Sequence, residues 1–178
     1  WPRLIEEHDP DVVFLFVDDW AETDLERLAG ASGTPPEALA AELMGDGIDL
    51  LTANGAAVVW GTNPEGVLDG GARALLPFHQ AMESLILERS DLRRSAYLPK
   101  VPADPDATYL REAGDTVFEG LFAARRIVDT GVPRVMVVGD SQARSIGYGL
   151  ERLESENGGA VVWNVAAPGC GIADDGVV

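Results

Sequence analysis

Four short runs of apolar, mostly β-branched residues punctuate the chain without hydrophobic–polar alternation: Asp11–Val17, Ala56–Trp60, Arg134–Val138 and Ala160–Val165. Near-continuous apolar runs of this length read as strands covered on both faces. Each runs into small or turn-forming residues, namely Asp18-Asp19-Trp20, Gly61-Thr62-Asn63-Pro64, Gly139-Asp140-Ser141 and Ala167-Pro168-Gly169. Ser95–Leu98, cut short by Pro99, is a weaker fifth candidate. Between these runs lie stretches with apolar residues at helical spacing. They are Pro2–Glu7, Pro35–Asn54, Ala72–Glu88 (with Pro77 marking the start), Thr116–Val128 and Ser145–Leu153. Pro99–Pro105 reads as a surface loop. Strands alternating with helices predict a three-layer α/β fold around a five-stranded, parallel, flavodoxin-like sheet.

Composition narrows the function. A chain of 178 residues is expected to form one domain. Its 30 Asp and Glu against 13 Lys and Arg give a net charge of −17, and Lys100 is the sole lysine. Such a chain is repelled by phosphate backbones and anionic lipids, so no nucleic-acid partner is expected. No apolar run reaches the roughly 18 residues a membrane span needs, and no signal-peptide pattern is present. A start without Met is expected of a processed or excised chain; the compartment stays open. One cysteine, Cys170, excludes an internal disulfide and a multi-thiolate zinc site, and His8 and His79 have no metal-ligand spacing. No cofactor and no metal are expected. The adjacent Asp18 and Asp19 are weak grounds for a divalent cation.

The candidate chemistry lies at the strand ends, where open parallel sheets gather reactive groups. Ser141 follows a buried strand and opens a helix. As a bland N-cap it would satisfy an orphan N–H. As a nucleophile it would gain from the helix N-terminus, whose N–H groups and dipole favour developing negative charge.

The segment Val135-Met-Val-Val-Gly-Asp-Ser-Gln-Ala-Arg-Ser145 resembles the first sequence block of the SGNH (GDSL-type) hydrolases, most closely the domains associated with bacterial O-acyltransferases. Asn164-Val-Ala-Ala-Pro-Gly-Cys-Gly-Ile172 is similar to the second block, Pro10–Trp20 to the third-block strand, and Gly55–Pro64 to the next strand and its loop. Asp106-Ala-Thr-Tyr-Leu-Arg-Glu-Ala-Gly114 resembles the family's Asp-x-x-His segment. The resemblance implies a serine esterase or O-acyltransferase acting on acyl esters of a carbohydrate or similar polar substrate. It makes Ser141 the nucleophile, and Ser141, Gly169 and Asn164 the oxyanion group. Asp106 becomes the orienting acid. It also implies a neighbouring SGNH or acyltransferase domain and an extracytoplasmic setting.

Two departures stand out. The family's histidine position holds Tyr109, and a tyrosine of ordinary pKa near 10 is no base at neutral pH. Asp18 stands where a donor is expected. His8 precedes the first strand and is expected at the sheet's amino end, on the surface. His79 lies early in a helix on the correct side and is the first substitute base, although it reads more simply as a helix-surface or packing histidine. Arg144 and Trp20 are candidate substrate contacts; Arg144 reads more simply as the partner of an acidic residue. Trp20, Trp60 and Trp163 read as pocket lining or as rim packing. Cys170 reads as a small buried residue.

The second departure is order, because all the family's pieces occur once each, cyclically shifted. Residues 1–128 run from the third-block strand to the Asp-x-x-Tyr helix, 129–133 form a linker, and 134–178 hold Gly-Asp-Ser and the second block. Circular permutation and excision from a tandem array both explain this, and a dimer swapped through the linker is a risk. A catalytically silent SGNH-like module that binds a glycan or a partner is the alternative expectation. A flavodoxin-like regulator or nucleotide-binding domain is a third, opposed by the absence of phosphate-binding glycine spacing.

Overall fold

The computed structural model describes residues 1–16, 20–61, 76–94 and 131–167. Its strands are β1 (Val12–Phe16), β2 (Ala57–Gly61), β3 (Leu92–Arg94), β4 (Arg134–Gly139) and β5 (Val161–Asn164). Its helices are α1 (Pro2–His8), α2 (Trp20–Ser32), α3 (Pro36–Leu51), α4 (Leu76–Glu88) and α5 (Ser141–Asn157). The strands pair in parallel in the order β3-β2-β1-β4-β5. The α/β class and the parallel sheet therefore follow the hydrophobic pattern.

Alternation of the pleat sends the apolar runs to two cores. Val13, Leu15, Val58, Trp60, Met136 and Val138 join α3 (Ala40, Met44, Ile48), α4 (Phe78, Met82), Leu25 of α2 and Ile5 of α1 on one face. Val12, Phe14, Phe16, Val135, Val137 and Val162 join Ala143, Ile146 and Leu150 of α5 on the other. Burying a side chain such as Phe14 contributes about 1.5–3 kcal/mol, which is why central β1 and β2 tolerate no polar residue. Trp60 belongs to the first core at 1% exposure, so it lines no pocket.

Two expectations need correction, at α2 and at α5. The strand described on the β2 side is Leu92–Arg94, and the candidate Ser95–Leu98 lies outside the described residues. The sheet needs one buried apolar side chain there, and Leu92, paired with Val58, supplies it. Helix α2 occupies a stretch with no predicted element; Leu25 and Ala29, one turn apart, are buried among its described side chains. Helix α5 starts at Ser141 instead of Ser145. The helix expected over Thr116–Val128 lies outside the described residues.

Two arginines fasten the amino end of the sheet. Arg134 donates from Nε and Nη2 to the two carboxylate oxygens of Asp11 (3.1 and 2.8 Å) and from Nη1 to Asp9 (2.8 Å). Asp9 caps α1 in the left-handed region (φ 43) and accepts from Asn54 Nδ2 at 2.9 Å, which ties β1, β2 and β4 together where they begin. Hydrogen bonds from Asn54 and then Arg134 hold Asp9 below the usual carboxylate range. The Arg134 bond does the same for Asp11 against the opposing effect of burial. Arg89, just after α4, similarly bridges Asp91, Asp49 and Thr52.

From β1 the chain passes through α2 and α3 to β2 and on through α4 to β3, with these helices on one face. From β4 it passes through α5, on the other face, to β5. Strand order reverses between β1 and β4, and crevices at such switch points are where doubly wound sheets bind ligands.

Candidate functional site

Backbone geometry at the switch point is set by Gly139. Phe16, the last residue of β1, is paired with both Gly139 of β4 and Gly61 of β2, so three strands end level. Gly139 has φ 141, and a β-carbon there would stand 2.4 Å from the Phe16 carbonyl oxygen and 2.7 Å from Ala143 Cβ. Only glycine lets β4 turn this sharply into α5 beside β1. The N–H of Ala167, beyond β5, donates to the Gly139 carbonyl at 3.1 Å and brings the exit of β5 to the same turn.

The next residue caps the helix. Asp140 is buried (6% exposed), its carbonyl accepts from Arg144 N–H at 2.9 Å, and Oδ1 accepts from Ala143 N–H at 3.4 Å. These are the bonds of an N-cap. Ser141 is consequently the first helical residue rather than the cap, which corrects the bland reading. Its side chain is exposed, and its hydroxyl makes no hydrogen bond among the described residues; its carbonyl accepts from Ser145 Oγ at 3.1 Å. The hydroxyl thus projects from the positive end of a 17-residue helix without being spent on holding that helix.

Asn164 and Arg144 meet through backbone. Asn164 Nδ2 donates to the Arg144 carbonyl at 2.9 Å and joins the end of β5 to the first turns of α5. The Arg144 side chain turns along the helix, where Nε donates to Tyr148 Oη at 2.9 Å and the guanidinium lies 5.6 Å from the Tyr148 ring centre. The expected carboxylate partner of Arg144 is absent among the described residues. Ser141, Arg144 and Tyr148 lie at i, i+3 and i+7, on one exposed face of α5.

The remaining candidates divide sharply. His8, expected on the surface, is half-buried and stacked on Trp163 with ring centres 4.9 Å apart. Trp163 pairs with Met136, a member of the core under α3 and α4, so His8 lies on the sheet face opposite α5. Trp163 accordingly packs against α1 instead of lining a crevice. Trp20 opens α2 and His79 falls in the first turn of α4, but their side chains lie outside the description. Asp18, Asp19, Asp106, Tyr109, Gly169 and Cys170 also lie outside the described residues, so Ser141, Asn164 and Arg144 are the predicted site residues seen together.

Reading the sequence missed Asp140 as cap, Tyr148 as partner of Arg144, and Gly147 as the seat of Asn164. An Asp immediately before a helical pattern was the available signal for the first, and the i, i+4 spacing for the second. Among the described residues no group of three or more His, Cys, Asp or Glu is arranged to hold a metal ion. No described helix is long and apolar enough to cross a membrane. No family model, curated protein or solved structure matches the chain.

Proposed function

We propose that this chain is a cyclically shifted SGNH-type domain whose centre hydrolyses or transfers acyl esters of a carbohydrate or similar polar substrate, with Ser141 as nucleophile. The observation that carries the reading is the division of labour at the β4–α5 turn. Asp140 caps the helix, Gly139 makes the turn, and Ser141 is left exposed at the switch point with a hydroxyl that makes no hydrogen bond among the described residues. Strand order supports the shift. Counting from β4 instead of from β1, the observed order becomes 2-1-3-4-5, the doubly wound flavodoxin order.

In this reading Ser141 Oγ attacks the acyl carbonyl carbon and its proton passes to a base. The carbonyl oxygen takes up negative charge, which the Ser141 and Gly169 N–H groups receive. The alcohol then leaves, and water or a second hydroxyl carries the acyl group away. Asp106 is the orienting acid. Tyr109 occupies the family's base position, so His79 is the proton acceptor we assign first.

The alternative is a silent module that keeps the crevice for binding a glycan or a partner. Tyr109 at the base position and Asp18 in place of a donor favour it.

Fluorophosphonate labelling separates the two. Attack by an activated Ser141 expels fluoride and leaves a phosphonyl adduct, which intact mass and peptide mapping detect. An adduct on Ser141, lost in Ser141→Ala, supports the hydrolase. A folded protein that stays unlabelled overturns it in favour of the silent module, and Tyr109→His then tests whether the base is all that is missing.

A further inference from the structure

Among the described residues strand β5 is the outermost on its side of the sheet and has β4 as its partner. The N–H groups of Val161 and Val165 donate inward to Pro133 (2.8 Å) and Val137 (3.2 Å). In a parallel pair the alternate residues, Val162 and Asn164, then direct their N–H groups outward, where an edge invites another strand. That edge is not left open. Glu154, in the last turn of α5, reaches over it, and its Oε2 accepts the Val162 N–H at 3.1 Å. The turn through Gly158 (φ 61) and Gly159 (φ 108) brings β5 back under this side chain. Asn164, the other outward position, carries its side chain to the Arg144 carbonyl on the same helix.

We propose that the Glu154 carboxylate is an edge guard, which keeps β5 from pairing with the β5 of a second copy of this chain. A second copy is the natural intruder because two such edges meeting about a twofold axis are self-complementary. Val161, 36% exposed beside the guarded amide, would be covered by the pairing. Occupying the Val162 N–H removes a central donor from that ladder, and the negative charge repels the same carboxylate on the other copy.

The test is self-association of purified chain over a concentration series, at high salt to screen the general repulsion of an acidic protein. Glu154→Ala is expected to self-associate about tenfold or more tightly than wild type. Glu154→Gln, which keeps an acceptor oxygen, should stay closer to wild type. Amide exchange at Val162 in Glu154→Ala should be fast when dilute and slow when concentrated. Adding Val161→Lys, another way of guarding an edge, should return the Glu154→Ala chain to wild-type behaviour. Unchanged association in Glu154→Ala overturns the proposal, as does association that survives Val161→Lys. A Glu154→Ala chain that does not fold also overturns it, because the bond would then be a requirement of the fold.

Discussion

The carboxamide of Asn164 fills the space that a β-carbon on Gly147 would need: its Cγ, Nδ2 and Oδ1 lie 2.2–2.4 Å from that position. Glycine inside a helix is unfavourable by about 1 kcal/mol relative to alanine, and here its bare backbone admits the side chain that ties β5 to α5. Gly147→Ala should therefore destabilise the protein by about 1–3 kcal/mol in urea unfolding despite the better helix former. Combined with Asn164→Ala, the same substitution should become neutral or stabilising. Additive costs in that double-mutant cycle would dismiss the steric account.

Gly139 is held still more tightly, because backbone and neighbours both forbid a side chain. A residue with φ 141 is strained for any L side chain, and the nearest obstacle is the Phe16 carbonyl, which cannot rotate away. Gly139→Ala is expected to cost at least about 2 kcal/mol. Because the turn sets where α5 begins, any fluorophosphonate labelling of Ser141 should fall with it. A Gly139→Ala protein as stable as wild type would show that β4 does not enter α5 through this turn.

The sheet was largely legible because β1, β2 and β4 are buried on both faces, and such strands must be apolar throughout. Strand β3 was concealed by Arg93 and Arg94, which leave Leu92 as the one apolar residue in its three. Helix α2 was concealed because its described part is mostly polar, with Leu25 and Ala29 as the buried residues among the described side chains. Gly-Asp-Ser marked the strand end, but the role of each letter emerged from φ and hydrogen bonds: glycine turns, aspartate caps and serine is released. The Asp9–Arg134–Asp11 cluster joins residues about 125 positions apart, a juxtaposition that only the strand order creates.

That cluster predicts an acid limb to stability. Asp9 and Asp11 bind protons less readily folded than unfolded. Their stabilisation is complete above the unfolded value near pH 4 and is lost as pH falls through the lower folded values. Arg134→Gln should cost about 1–2 kcal/mol at neutral pH, modest because the guanidinium is partly solvated. It should also flatten the decline of stability between about pH 4 and pH 2. Parallel acid limbs in wild type and variant would place the responsible carboxylates elsewhere.

The two histidines give the proposed chemistry its sharpest test. His8 is stacked on Trp163 on the face away from α5, so its imidazole cannot take a proton from Ser141 without α1 leaving the sheet. His79 stands in the first turn of α4, which follows the carboxyl end of β2, and is the base assigned above. His8→Ala should therefore leave the rate of Ser141 phosphonylation within about twofold of wild type while lowering stability by about 1 kcal/mol through the lost stack. His79→Ala should lower the rate by about a hundredfold or more. Labelling that proceeds unchanged in His79→Ala would remove His79 from the mechanism but keep Ser141 in it. Labelling lost in folded His8→Ala would contradict the placement of α1.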